Sequence, residues 1–455
     1  MKHAPIDLWS FESRVEFWLL KSLSAGVTSF SSLLAELPGV YPTAAMAGIR
    51  RLVKSGRISV EMGRKLALQA RVASSPTSTY AELPPPHPLD FEWRFNQETS
   101  EALASRAVIP SARRFGRTLC LGVPTVALAA IKLGLGQHAD FLGEANEIST
   151  AVSEHARRRA SSLSTHFGSS RASSASYASV VLDPPWYDDC LHEMIPLAAS
   201  ACQHNGTVFV VAAPFGSRRS AIDHRANLIS IAEQCGLVLA NQVPAFARYQ
   251  TPFFEANALK AAGLAVPGDW RTADLLEFRK AGVGSSLPLK ARTRPRPWHE
   301  LSVGRMRLFI DVSQPDEHGG DVTLNSIVAG DVLPTVSRRD GRRTRANVWT
   351  SGNRIFRCNR PNELVAALEG DLLALPEFYH RDPCRPYYHR NFQRYATLKF
   401  HLQKLSAKEL QEEKEHFGGN SGAARRIASR TQREVAFAQL LGSAPRRDPL
   451  QPFGQ

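Results

Sequence analysis

The sequence predicts an α/β fold: a doubly wound, mostly parallel sheet, with a separate domain before it and a basic region after it. Three observations carry this expectation. Short apolar runs closing at Leu121, Glu144, Leu182 and Ala212 alternate with helical patterns, the βα rhythm of a parallel sheet. A Ser/Thr/Pro-rich stretch, residues 73–87, ends in Leu83-Pro84-Pro85-Pro86-His87-Pro88 and marks a boundary. The 455 residues carry a net charge of +14, with arginines clustered late in the chain, and are too many for one ordinary domain.

The first element is a helix over residues 12–24, with Val15, Phe17, Trp18, Leu19, Leu20 and Leu23 at helical spacing. Thr28 or Ser29 caps a second helix that stops at Pro38-Gly39. A third runs from Pro42 to Ser55, with Pro at its first turn, and carries Arg50, Arg51 and Lys54. Residues 57–61 and 66–68 then read as two short strands around Met62-Gly63-Arg64-Lys65. Three helices and a hairpin are the order of a winged helix over residues 1–72. That order makes Arg50, Arg51 and Lys65 candidate DNA contacts. Residues 73–98 read as a Pro/Ser-rich, partly polyproline linker.

The sheet occupies residues 99–312. Its first strand ends at Leu121, with a tight turn at Gly122 and an apolar helix behind it, the layout of a Rossmann-like cofactor-binding unit. The second strand, residues 139–144, ends in Glu144, 22 residues after Gly122. That lies close to the ~20-residue interval at which an acid meets ribose hydroxyls in nucleotide-binding sheets. The Arg/Ser-rich stretch from 157 to 179 reads as a basic flexible segment. A helix over 187–202, a buried strand over 206–212, a helix over 221–235, a strand from 237 and a helix over 255–263 continue the alternation. Phe246 to Glu255 combines aromatics with Arg248 and suits the wall of a crevice. Residues 305–311 alternate and suit an antiparallel edge strand on the same sheet.

The chemistry concentrates at Ser179-Val180-Val181-Leu182-Asp183-Pro184-Pro185-Trp186. A buried strand ending in an acid places Asp183 in the crevice beyond the sheet's carboxyl edge. Pro184 and Pro185 offer carbonyls without competing N–H donors, and Trp186 offers a flat face for a planar substrate. An exocyclic NH2 group needs two acceptors for its hydrogens; the Asp183 carboxylate and the Pro184 carbonyl supply them.

Asp183-Pro184-Pro185-Trp186 resembles the (D/N/S)-P-P-(Y/F/W) motif of S-adenosylmethionine-dependent amino-methyltransferases, which act on N6 of adenine or N4 of cytosine. The resemblance covers roughly residues 115–312. It implies a methyltransferase sheet, S-adenosylmethionine held by Gly122 and Glu144, catalysis at Asp183 to Trp186, and a nucleic-acid substrate, N6 of adenine in DNA first. Such enzymes carry Gly-x-Gly at the cofactor turn; this chain keeps Gly122 and has Pro124 and Thr125 in the remaining places. The chain is also similar to branched-chain polyamine synthases, which implies aminopropyl transfer to a polyamine as an alternative. A methyltransferase-like scaffold that only binds nucleic acid is a third possibility.

A pI near 9.8 points to a polyanionic partner. No 18-residue apolar run is present, so a membrane partner is not expected and nucleic acid is favoured, DNA ahead of RNA. In the basic region, residues 313–455, Arg338, Arg339, Arg342, Arg343 and Arg345 precede Trp349, a set suited to phosphate contact with stacking. The six cysteines are scattered with no C-x-x-C pair, as reduced cytoplasmic thiols are, and neither they nor the histidines form a metal-ligand spacing. Composition does not fix an oligomeric state.

Overall fold

The computed structural model describes residues 10–71, 82–90, 93–144, 146–167, 176–265, 268–282, 298–369 and 386–417. The N-terminal residues form four helices. α1 (Phe11–Ser24) is capped by Ser10 and α2 (Phe30–Glu36) by Ser29, each side chain accepting from the N–H three residues on. α3 (Pro42–Lys54) begins with its proline, whose missing donor costs no intrahelical bond.

The expected wing is absent among the described residues, which corrects the winged-helix reading. Residues 60–69 form α4 (Val60–Gln69), started by Ser59, whose hydroxyl accepts from Met62 N at 3.1 Å. The two apolar runs read as strands belong to one helical face: Gly63, Leu66 and Ala70 are buried at spacings of three and four. A Cβ on Gly63 would lie 2.3 Å from Val53 Cγ2, so glycine sets the close approach of α4 to α3. Leu19, Leu33, Ile49 and Leu66 share the core.

The described part of the expected linker is packed rather than free. Leu83 is buried, His87 stacks on Phe309 at 4.1 Å, and Arg307 Nη1 donates to the Pro85 carbonyl at 2.9 Å. Residues 72–81 lie outside the described residues.

The main sheet has seven strands: β1 (Thr118–Leu121), β2 (Ala139–Gly143), β3 (Ser164–Phe167), β4 (Tyr177–Leu182), β5 (Cys202–Ala212), β6 (Leu237–Arg248) and β7 (Thr272–Lys280). Their order is β3-β2-β1-β4-β5-β7-β6. The first five run parallel; β7 enters antiparallel between β5 and β6. Both faces are covered, as an all-apolar strand requires. On one face α5 (Gln97–Arg113), α6 (Pro124–Lys132) and α7 (Glu147–Arg158) place Leu103, Val126 and Val152 against Cys120 and Val181. On the other, α8 (Asp188–Ala201) and α9 (Ala221–Gln234) place Ile195 and Leu228 against Leu119 and Val180. β3 was not expected within the Arg/Ser-rich stretch; residues 168–175 of that stretch lie outside the described residues. α10 (Phe253–Ala261) follows β6.

The expected edge strand joins a different sheet. β8 (Trp298–Val303), β9 (Met306–Asp311), β10 (Leu324–Ser326), β11 (Val348–Thr350) and β12 (Ile355–Cys358) form an antiparallel sheet in the order β10-β12-β11-β9-β8. Met306, Leu308 and Ile310 bury one side of β9 in a core of its own with Leu364 and Leu402. Those leucines come from α11 (Pro361–Glu369) and α12 (Pro386–Phe417). In the turn between β11 and β12 Arg354 is fully buried, its charge met by Glu409 at 3.1 Å and Glu412 at 2.7 Å. No helix among the described residues is long and apolar enough to cross a membrane.

Candidate active site

Strand order reverses between β1 and β4, and open α/β sheets bind ligands in the crevice at that point. Leu121 at the end of β1 pairs with Leu142 on one side and Leu182 on the other. Gly122 and Asp183 therefore leave the sheet side by side, about 4.8 Å apart if strand spacing persists. Glu144 follows the end of β2 and is exposed.

Gly122 has φ +66°, a conformation that disfavours side chains, and its N–H donates to the Leu142 carbonyl at 2.8 Å. A Cβ built there would meet only Met194 Cε, at 3.5 Å, so the backbone is open to a close ligand. An open glycine turn with a carboxylate across it fits a nucleoside-type cofactor such as S-adenosylmethionine. Pro124 at the start of α6 removes one backbone donor from that turn.

Asp183 lines a cavity of about 240 Å³. Its Oδ1 accepts from the Tyr249 hydroxyl at 2.9 Å. Burial raises the carboxyl to about 7, against the lowering influence of Tyr249 and the Arg271 charge. The same burial, with the neighbouring carboxylate, pushes the Tyr249 phenol well up. Pro184 is buried, while Pro185 and Trp186 are partly exposed, and all three line the cavity.

Trp186 does not present an open face on both sides. The Arg271 guanidinium sits 4.2 Å from its ring, 3.7 Å from Trp93 and 5.4 Å from Tyr249. The rings desolvate the cation and lower its pKa. Trp270 adds another wall, edge-on to Trp93 and Tyr41.

The N-terminal helices close the cavity with Gly39 and Tyr41. Tyr41 donates its hydroxyl to Glu255, a fully buried carboxyl that burial raises to about 7. A Cβ on Gly39 would sit 2.7 Å from Pro214 Cγ, so this loop is seated on the one after β5. Thr335, Val336 and Ser337 bring the C-terminal region to the same cavity.

The candidate nucleic-acid residues are spread over two regions. Arg50 and Lys65 are exposed on α3 and α4; Arg51 pairs with Glu16 at 2.6 Å. Arg338 pairs with Asp189 at 2.9 Å near the cavity, and Arg342 pairs with Asp340 at 2.7 Å. Arg339 and Arg345 are exposed. Arg343 is a correction: it is 8% exposed, covers the buried Trp349 at 4.2 Å and donates to the Val336 carbonyl at 3.1 Å. Neither it nor Trp349 is available to stack on a base.

Sequence reasoning missed Tyr41, Arg218, Trp270 and Arg271, and it named Glu255 only as the end of the stretch that suits the crevice wall. Within the aromatic stretch after β6 it singled out Arg248, whereas Tyr249 reaches Asp183. Arg271 stands one residue before β7, a strand with no clean alternation, since Thr272 to Leu276 are all buried. Among the described residues no group of His, Cys, Asp and Glu converges as a metal site would.

No family model and no curated protein matches the sequence. Among solved structures the chain is similar to the branched-chain polyamine synthase of Thermus thermophilus in complex with N4-aminopropylspermidine and 5′-methylthioadenosine. That match has 14% identity, 63% of this chain, 93% of that chain and a TM-score of 0.43. A mutein of the same enzyme matches at 13% identity, 61% and 90% coverage and a TM-score of 0.45. A magnesium protoporphyrin IX methyltransferase from Synechocystis, with S-adenosylmethionine bound, matches at 12% identity, 41% and 79% coverage and a TM-score of 0.29. These likenesses are of fold.

Proposed function

We propose that this chain is an S-adenosylmethionine-dependent methyltransferase acting on an exocyclic amine of a nucleic-acid base, with N6 of adenine in DNA as the first substrate to test. The observation that carries the reading is Asp183: a carboxylate at the strand-order reversal, one step across from the Gly122 turn, fixed by Tyr249 in an aromatic cavity. Gly122 and Glu144 would hold the cofactor, which when bound supplies a methyl group already activated on a sulfonium.

The chain's own part is placement. The Asp183 carboxylate and the Pro184 carbonyl accept the two amine hydrogens, so the nitrogen lone pair points out of the plane of its acceptors. Tyr249 fixes one carboxylate oxygen and leaves the other to the amine. A carboxyl near 7 can also take the proton that the nitrogen releases once it is alkylated. The exposed face of Trp186 and the walls around it exclude water from the reacting amine. Aminopropyl transfer to a polycation fits less well, because among the described residues that line the cavity Arg218 and Arg271 stand against Asp183.

The test is calorimetric titration with S-adenosylmethionine and with its decarboxylated form, followed by transfer of labelled methyl groups to adenine-containing DNA, each beside Asp183→Ala. Preference for the intact cofactor and label in DNA are the expected results. Preference for the decarboxylated form would move the reading to aminopropyl transfer, and binding of neither would remove the enzyme.

A further inference from the structure

Arg271 is the charged residue of the cavity that the mechanism above leaves without a task. Its carbonyl accepts from the Tyr249 N–H, but none of the hydrogen bonds or ion pairs among the described residues engages its guanidinium; three aromatic rings hold that group instead, and its Nε is buried without an acceptor. It is not alone. Ser217 Oγ, Arg218 Nε and Trp270 Nε1 are also buried without partners among the described residues, and all four residues line the same cavity. Orphaned buried donors are rare in folded proteins, and here four gather around one space.

All four can donate, and no acceptor among the described residues meets them; Glu255 Oε2, also buried without a partner, is not among the residues that line the cavity. Arg218 is fixed by its other arm: Nη2 donates to the Trp186 carbonyl and lies 3.0 Å from His224 Nδ1. Its pKa is lowered to about 10 by burial, and the Arg271 charge adds to that lowering. Two like charges therefore share one cavity; among the described residues Asp183 is the acid that lines it, with the Glu255 carboxyl acting on Arg271 from outside the lining. An anion between them would relieve the repulsion and take up the unpaired donors. A guanidinium fork matches carboxylate and phosphate alike, but a phosphate ester offers more acceptor oxygens to two such forks and a hydroxyl at once.

We infer that Ser217, Arg218 and Arg271 form a phosphate subsite inside the acceptor cavity, so that the amine-bearing substrate enters as a nucleotide with its phosphate ester attached. This deepens the methyltransferase reading and rests on it for the identity of the amine; the subsite itself rests on the donors. The phosphate could belong to a free nucleotide or to a nucleic-acid chain, since the chemistry recognised is the same.

The experiment titrates the full chain, without cofactor and at fixed ionic strength, with 2′-deoxyadenosine 5′-monophosphate, 2′-deoxyadenosine and a short single-stranded oligodeoxynucleotide. The nucleotide is expected to bind about tenfold or more tighter than the nucleoside, the size of effect a charge-assisted contact gives. Arg218→Gln and Arg271→Gln should each remove most of that preference, Ser217→Ala a smaller part, and Arg271→Lys should restore some of it by returning the charge without unpacking the cage. Equal affinity for nucleoside and nucleotide overturns the subsite, and so does a preference that survives in both glutamine variants. An oligonucleotide that binds far more tightly than the mononucleotide, with the same arginine dependence, assigns the phosphate to a chain; equal affinities assign it to a free nucleotide. Both support the subsite. If this preference holds while no methyl transfer occurs on any substrate, the reaction fails and the subsite stands.

Discussion

Tyr249 donates its hydroxyl to Asp183 at 2.9 Å, tying the chain just beyond β6 to the end of β4. The two residues are 66 apart in sequence, and both line the cavity. It stabilises the ionised carboxylate against a burial that otherwise favours the protonated form.

Since Asp183 acts as an acceptor, methyl transfer should rise with pH and level off above about 7, where the carboxyl is ionised. Tyr249→Phe removes a donor that lowers the pKa, so the midpoint should move upward by ~1 unit, equivalent to ~1.4 kcal/mol. A pH profile of kcat/KM for both proteins checks this. An unchanged midpoint would mean that the profile reports another group.

Asp183→Asn keeps the shape of the side chain and one carbonyl acceptor but loses the charge. Transfer should fall by roughly 10²-fold or more, the range associated with positioned acid–base groups. Cofactor affinity should stay near that of the wild type, because the residue faces the amine. Calorimetry beside single-turnover rates separates the two effects.

Gly122→Ala places a Cβ at φ +66°, at a cost of about 1–2 kcal/mol. The added methyl also enters the open side of the turn, so affinity for S-adenosylmethionine should fall more than stability does. Paired calorimetry and thermal melts read both quantities. A loss of stability with full affinity would place the cofactor elsewhere.

The turn at Gly122, the acid at the end of β2 and the Asp-Pro-Pro strand end are legible in sequence because each is local: an apolar run, then a residue with one conformational or chemical speciality. The walls of the cavity are not local. Tyr41, Arg218, Tyr249 and Arg271 come from four separate segments, and nothing in the neighbourhood of Arg271 distinguishes it from the chain's other arginines until three aromatic rings are folded around it. The wing was misread for a related reason. Ile58 and Val60 alternate with polar residues over the five positions 57–61, too short a span to separate period 2 from period 3.6, and the Ser59 cap together with the packing of Gly63 on Val53 decided for helix.

Glu255 is buried with its carboxyl raised to about 7, so folding binds a proton between its ordinary value and that one. By linkage its contribution to stability is full below about 4 and is lost as pH rises toward 7. Glu255→Gln keeps an acceptor for the Tyr41 hydroxyl and cannot ionise. The variant should therefore gain on the wild type as pH is raised from 4 to 8, seen as a widening difference in Tm, while other carboxylates titrate equally in both proteins.

The arginines after residue 337 divide by burial, and their variants should divide in the same way. Arg343 is packed over Trp349 and donates to the Val336 carbonyl, so Arg343→Ala should cost about 2 kcal/mol of stability, from the lost ring contact and one hydrogen bond. Arg339 and Arg345 are exposed, and their replacement by alanine should leave Tm within experimental error. If nucleic acid binds this face, the exposed pair should instead weaken DNA affinity at low salt and reduce the slope of log K against log salt by about 0.9 for each phosphate contact removed. Arg50→Ala and Lys65→Ala on the helical N-terminal region test the second basic surface by the same slope. A slope unchanged in all four variants would leave the phosphate of the substrate to the cavity arginines, with the surface charge serving only long-range attraction.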